Sequence, residues 1–253
     1  MSDQTPSTKL LVVYEDEHYI AIDKPSGLLV HRSPIDRHET QFAVQLLRDQ
    51  IGQHVHPAHR LDKPTSGILL FAKSTEALRK VSEQFETHTI DKVYHALVRG
   101  FPPEKLTIDH PVKTRKDKLD KKTMEAPKDA ITHLTTLATC TIDAKIERYD
   151  TSRYALVKLE PTTGRRHQLR YHMKHIAHPI IGDSNYGKGV QNRYFQQHFN
   201  CHRLLLAATS LNFYHPYEER ETVISAKLDA DFRSTLDQLP FNVSHQSPLN
   251  QIL

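Results

Sequence analysis

HPAHRLDKPTSGILLFAK, His56 to Lys73, is the stretch on which the fold turns. Its first part is dense in turn formers and reads as a loop, while Ile68 to Lys73 is a short apolar run of the kind that forms a buried strand. A loop that runs straight into a core strand can hold its side chains rigidly, and this one carries Arg60 and Asp62 two positions apart. Read alone, the tetrapeptide HRLD fits two descriptions. Asp62 is either a turn cap beside a solvated Arg60, or a carboxylate held in place for chemistry.

Working outward, LLVVY (Leu10 to Tyr14) and YIAIDK (Tyr19 to Lys24) are strand-like runs joined across the polar EDEH, which reads as a hairpin. KPSG (Lys24 to Gly27) breaks the second strand. From Glu39 to Ile51 the residues Phe42, Leu46, Leu47 and Ile51 recur at helical spacing, and Gly52 supplies a stop. Ser74 can cap a helix lined by Leu78, Val81 and Phe85, and KVYHALVRG (Lys92 to Gly100) reads as a strand. Residues 101 to 130 are polar and rich in Pro and Lys, so a long loop or small excursion is expected there. YALVKLEP (Tyr154 to Pro161) restores a strand, and a helix is expected from Arg165 to Ala177 with Leu169, Met173 and Ile176 as its core stripe. LLLAATSLNFYHP and TVISAK add late strands, and Asp229 to Leu239 reads as a terminal helix. Hairpins without regular βαβ alternation predict an α+β fold with a mixed, largely antiparallel sheet and flanking helices.

With 253 residues, 38% of them apolar and 25% charged, the chain has the make-up of one globular domain, expected over residues 10 to 240 with tails at 1 to 9 and 241 to 253. Its apolar runs fall far short of the roughly 20 residues that span a bilayer, and the first nine residues lack the apolar core of a secretory leader. A cytoplasmic protein is expected. Cys140 and Cys201 form no CxxC pair and read as reduced structural thiols. A net charge of +4 fits a polyanionic partner, and Lys113, Arg115, Lys116, Lys118, Lys121 and Lys122 concentrate charge in one run diluted by Asp117 and Asp120. That run is either a solvated loop or a phosphate contact.

On a helix starting at Arg165, that side chain lies about 40° from Leu169 and so on the apolar stripe, where a guanidinium needs an acidic partner. Asp62 is an attractive candidate, and the pairing would favour an ionised carboxylate; the alternatives are a purely structural ion pair or an Arg165 that snorkels at the helix start. Arg166, Arg170 and Lys174 follow at i, i+4, i+8 and read as a basic ridge beside the apolar face, either a phosphate contact or an ordinary solvated helix face. Eighteen histidines raise the question of a metal, with His54, His56 and His59 in one group and His172, His175 and His178 in another. No HExxH-like pattern accompanies them, and on a helix His172 and His178 would diverge by about 120°, so no metal site is expected.

KPSG, HRLDKPTSG (His59 to Gly67), KVYHALVRG, LEPTTGRRHQLRYHM (Leu159 to Met173) and HPIIGDSNYG (His178 to Gly187), in this order and spacing, resemble the RluA-type pseudouridine synthases over residues 10 to 230. The resemblance implies a cofactor-independent isomerase of uridine in RNA, built on a bent mixed sheet with a central RNA-binding cleft. It implies Asp62 as nucleophile, Tyr94 stacked on the target base and helping to remove its C5 proton, and Arg165 paired with Asp62. Arg60 would occupy the gap left by a flipped nucleotide. Lys24 and Arg170 match further motif positions, with structural or substrate-binding roles. VHRSPIDR (Val30 to Arg37) is most similar to the branch that modifies uridine 65 of tRNA, and with motifs beginning near residue 10 no S4-like RNA-binding domain is expected ahead of them. The implied partner is tRNA, met by a monomer that needs neither a membrane nor an obligatory protein partner. One departure stands out: RLLLAA carries Ala207 where the family often has histidine.

Overall fold

Every residue of Ser66–Ala72 is buried, which is why this strand reads as an unbroken apolar run rather than an alternation. A computed structural model of the chain describes residues 9–32, 38–113 and 126–241. The strand lies inside a ten-stranded sheet. In chain order the strands are β1 (Leu11–Glu15), β2 (Tyr19–Lys24), β3 (His56–Pro57), β4 (Ser66–Ala72), β5 (Asp91–Arg99), β6 (Lys105–Asp109), β7 (Ile131–Ile142), β8 (Ser152–Pro161), β9 (Leu206–His215) and β10 (Arg220–Ser225). The helices are α1 (Ala43–Ile51), α2 (Thr75–Glu86), α3 (Gln168–His175), α4 (Gly189–Phe199) and α5 (Ala230–Asp237).

The sheet runs β1-β2-β4-β9-β5-β8-β7-β6, with β3 added to β4 and β10 to β9. All named pairings are antiparallel except β4 with β9, which are parallel and matched only at Ser66 with Ala207 and Gly67 with Ala208. Gly67 has φ +105°, and a Cβ there would lie 2.0 Å from the Ala208 carbonyl oxygen, so only glycine lets the two strands meet. This seam joins the N-terminal strands to the larger C-terminal set.

Strand periodicity sorts the core into faces. Ile20, Ile22, Leu69 and Phe71 pack on Ala43 and Leu47 of α1, while Tyr19, Ala21, Ile68 and Leu70 pack on Ala77 and Val81 of α2. The other half repeats the pattern. Ala96, Val98, Ala155 and Val157 meet Leu169 and Met173 of α3, and Leu97, Tyr154 and Leu156 meet Phe195 of α4 with Phe232 of α5. Both cysteines are free and buried, and burial pushes the Cys140 thiol up to about 12.

The α+β architecture and the mixed, largely antiparallel sheet are as expected from sequence. Several boundaries differ. Helix α1 begins at Ala43 rather than Glu39, because Phe42 is extended with φ −139°. Helix α3 begins at Gln168 rather than Arg165, because His167 turns left-handed at φ +58°. The expected loop over 101 to 130 contains β6, which pairs with β7. Of the Lys-rich run only Lys113 lies among the described residues, and the expected tails fall almost wholly outside them.

Candidate active site

The loop ahead of β4 is fastened from below. Lys24, at the end of β2, is fully buried and donates from Nζ to the carbonyls of Pro25 (2.8 Å), Leu28 (2.9 Å) and Lys63 (3.2 Å). Gly27 N donates to Lys63 O and Ser26 Oγ to Pro64 O, so the KPSG and HRLDKPTSG loops form one hydrogen-bonded unit. Burial and the nearby Arg203 pull the Lys24 ammonium down to about 7, against the raising effect of Asp62 and Asp23. Its ammonium is thus spent on three backbone carbonyls of the two loops.

Asp62 tops this unit, with 24% of its side chain exposed into a cleft of about 1840 Å³. Arg60, exposed on the same loop, lines that cleft together with Lys92, Tyr94, Arg165 and Arg166. Tyr94 sits where a register shift interrupts the β5–β9 ladder, and such bulges re-aim side chains beside functional sites. Burial and then the charge of Asp62 raise its phenol well above the ordinary range, so the ring stays protonated and uncharged.

The partner of Asp62 is Arg170, not Arg165. Arg170 Nη1 donates to Asp62 Oδ2 at 3.1 Å, while Nε and Nη2 grip Asp183 Oδ2 and Oδ1 at 2.7 and 2.8 Å. Because Asn185 N and Tyr186 N also donate to Asp183 Oδ1 (both 2.9 Å), the buried aspartate is fully satisfied. Burial alone would lower the guanidinium's pKa, but Asp183 and Asp62 raise it instead and hold the charge fixed. Burial likewise opposes the charged Asp183, and Arg170 overcomes it to keep this carboxyl below the usual range.

Arg165 precedes the helix, and its Nε donates to Asp129 O at 3.0 Å. The turn around it is set by buried Gln168, whose Oε1 accepts from Thr163 Oγ1 and Arg165 N and whose Nε2 donates to Ile131 O and Thr132 Oγ1. The expected Arg165–Asp62 pair is thus corrected, and so is the basic ridge: Arg170 is 3% exposed, leaving Arg166 and Lys174 at the surface. Sequence reasoning did not single out His167, Gln168, Asp183 or Tyr186. The signal that finds Asp183 is the need of a buried arginine for a buried acid, applied within the quoted HPIIGDSNYG.

His167 Nε2 lies 3.7 Å from Asp62 Oδ1, and its Nδ1 lies 3.1 Å from Tyr186 Oη. Three of the six histidines weighed as metal ligands have hydrogen-bond partners within the fold. His59 Nε2 accepts from Leu70 N, His172 binds Thr132 Oγ1 and His110 O through its two ring nitrogens, and His178 Nδ1 meets Arg99 O. Among the described residues one group, Asp16, His215 and Glu218, could gather ligand atoms; Asp16 lies before Tyr19, which pairs with Ala72 at the end of β4 away from the Asp62 loop. Its atoms are already engaged: His215 Nδ1 accepts from Glu218 N, Nε2 meets Asp16 Oδ2, and Asp16 also accepts from Tyr14 Oη, His18 N and Tyr19 N. No helix among the described residues is long and apolar enough to cross a membrane.

The family model described as RNA pseudouridylate synthase matches residues 18–175. A Vibrio cholerae protein named tRNA pseudouridine synthase C is 45% identical over 93% of this chain and 98% of its own length. Proteins of the same name from Yersinia pestis and Haemophilus influenzae are each 49% identical over 90% of the chain, covering 90% and 97% of the relatives. Among solved structures, human RNA pseudouridylate synthase domain containing 1 superposes with a TM-score of 0.73 at 24% identity, over 99% of this chain and 95% of that one. Human RNA pseudouridylate synthase domain containing 4 gives 0.70 at 23%, over 92% and 94%, so the fold is shared at low identity.

Proposed function

The chain belongs to the RNA pseudouridylate synthase family, and on that footing we propose that it isomerises one uridine of tRNA, at position 65, with Asp62 as the nucleophile. The observation that carries the assignment of Asp62 is its setting: one carboxylate oxygen is bound to a buried arginine that is itself anchored on Asp183, and the side chain is partly exposed in an open cleft lined by arginines and a tyrosine. A group that only capped a turn would not need this support.

The reaction breaks the N1–C1′ bond, turns the uracil in place and joins C5 to C1′, so it conserves every atom and consumes no redox equivalent. A carboxylate can attack C6 of the base or C1′ of the sugar, or assist a glycal route, and Asp62 is central to each. The target base has to leave its stack, at a few kcal/mol, and Tyr94 offers an apolar, uncharged ring as a replacement surface. Arg60, exposed at the cleft rim, fits the gap left in the helix, and Arg165 and Arg166 suit phosphate contacts. Lys24 and Arg170 act from beneath by holding loop and nucleophile. The tRNA substrate is supported by the names of relatives at 45–49% identity, and position 65 by the resemblance of VHRSPIDR, of which residues 33–37 lie outside the described chain.

The test uses purified protein and unmodified tRNA transcript in buffer without metal or nucleotide. Wild type should convert one uridine, and Asp62→Asn should abolish conversion while tRNA affinity stays within a few-fold, because phosphate contacts dominate binding. Substantial turnover by Asp62→Asn would remove the nucleophile assignment, and chemical mapping that found the product in ribosomal RNA alone would remove the tRNA.

A further inference from the structure

His167 has φ +58°, in the left-handed region that non-glycine residues enter at a cost and that concentrates at functional sites. The turn sets its ring in the cleft wall, 20% exposed, between Tyr186 and Asp62. Nδ1 and the Tyr186 hydroxyl can share a hydrogen either way round, and because Nε2 faces a carboxylate that is ion-paired to Arg170 and can only accept, the arrangement that suits both ends of the ring has Tyr186 Oη donating to Nδ1. With Nδ1 accepting, the hydrogen of a neutral imidazole sits on Nε2, which faces Asp62 Oδ1. Arg170 holds Oδ2, the oxygen on the other side of the same carboxylate.

We propose that His167 is a positioning residue for the nucleophile: with Nδ1 held by Tyr186, its Nε2–H flanks Asp62 Oδ1 and, opposite Arg170, fixes the plane of the carboxylate. The inference rests on the assignment of Asp62 as nucleophile. At 3.7 Å the ring is a close neighbour of Oδ1 and not a hydrogen-bond partner, so it limits rotation of the carboxylate sterically and leaves free the lone pairs that the base or sugar must meet. Protonation of the ring would change this. An imidazolium would close on Oδ1 as an ion pair and take that oxygen out of use. The groups facing the ring are Asp62 from the loop before β4, Arg166 and Arg170 from around the start of α3, and Asp183 and Tyr186 from the segment between α3 and α4. Burial, Arg170 and Arg166 disfavour the charged ring more than Asp62 and Asp183 favour it, so the neutral, working form persists below the ordinary histidine range.

The experiment compares wild type, His167→Asn and Tyr186→Phe in single-turnover conversion of tRNA at saturating enzyme from pH 5 to 9, alongside tRNA affinity. Asn accepts a left-handed backbone and does not titrate. His167→Asn should be about tenfold slower at pH 8, since small misplacements of a reacting group cost rate, with affinity within twofold. Its acid limb should move to lower pH than that of wild type, because the ring's proton is gone. Tyr186→Phe, which leaves the backbone at 167 alone, should lose about threefold with the same split between rate and affinity. A His167→Asn enzyme with the wild-type rate and acid limb would overturn the proposal, as would losses in both variants carried by affinity. An inactive wild type would instead overturn the assignment on which the proposal rests, and this one with it.

Discussion

A guanidinium with 4% of its side chain exposed persists only where acids meet it on more than one side, and Arg170 has Asp183 on one side and Asp62 on the other. Arg170→Met should therefore lower stability by about 3–5 kcal/mol, because it strands a buried carboxylate. It should also slow single-turnover conversion at least about a hundredfold, whereas Arg165→Met, which loses a hydrogen bond to one backbone carbonyl, should cost about 1 kcal/mol. Urea unfolding and rates at saturating enzyme check both, and equal destabilisation by the two variants would dismiss this ranking. The underlying rule, that a charge on an apolar stripe needs an acid, is legible in the sequence. Its assignment to Arg165 fails because helical phase counts from a start that the left-handed His167 delays by three residues. Asp62 and Tyr94, which the structure brings to one cleft, are reached from the sequence through the ordered motifs. Asp183 is not reachable by periodicity, since its partner lies on another element and only the fold brings them together.

Helices and strands with continuous or strictly periodic apolar character were readable: β2, β4, β5, α2 and α5 lie within a few residues of their expected places. Strand β7 was not, because its inward positions include Thr132 along with Leu134 and Cys140, so polar and apolar residues share a face. Thr132 can be buried there because Gln168 and His172 satisfy its hydroxyl, a provision made by α3. Helix α4 hides for a similar reason, since buried Gln191 is met by Tyr154 Oη at 2.6 Å. At the β4–β9 seam, Gly67→Ala would combine a left-side φ with a Cβ 2.0 Å from Ala208 O. It should destabilise by at least about 3 kcal/mol, a drop in Tm of roughly 6–12 °C. A thermal melt within about 2 °C of wild type would mean that the seam yields without loss.

Taken as a whole, the molecule carries histidines inside a basic protein, and that sets its acid limit. Burial, with Lys92 adding, pulls His59 from 6.5 to about 3, and burial, with Lys158 adding, pulls His95 to about 4. Between those values and 6.5 the unfolded chain binds protons that the folded one refuses, so stability is fully present above pH 6.5 and falls as pH drops. Each such group contributes a slope of about 1.4 kcal/mol per pH unit in that window. Urea midpoints should fall steadily from pH 7.5 to 4.5, and His95→Gln, which can still meet Thr209, should flatten part of the decline. Unchanged midpoints would contradict it. The seam between β4 and β9 also has a consequence in time. A ribosome delivers the N-terminal strands and the Asp62 loop long before Ala207 and Ala208 exist to receive Ser66 and Gly67. Until then the start of β4, Ser66 and Gly67, lacks the strand that pairs it, an exposure that lasts for more than half of synthesis. The loop that carries Asp62 is thus made early and secured late, so an incomplete chain holds the proposed nucleophile without the strand that steadies it.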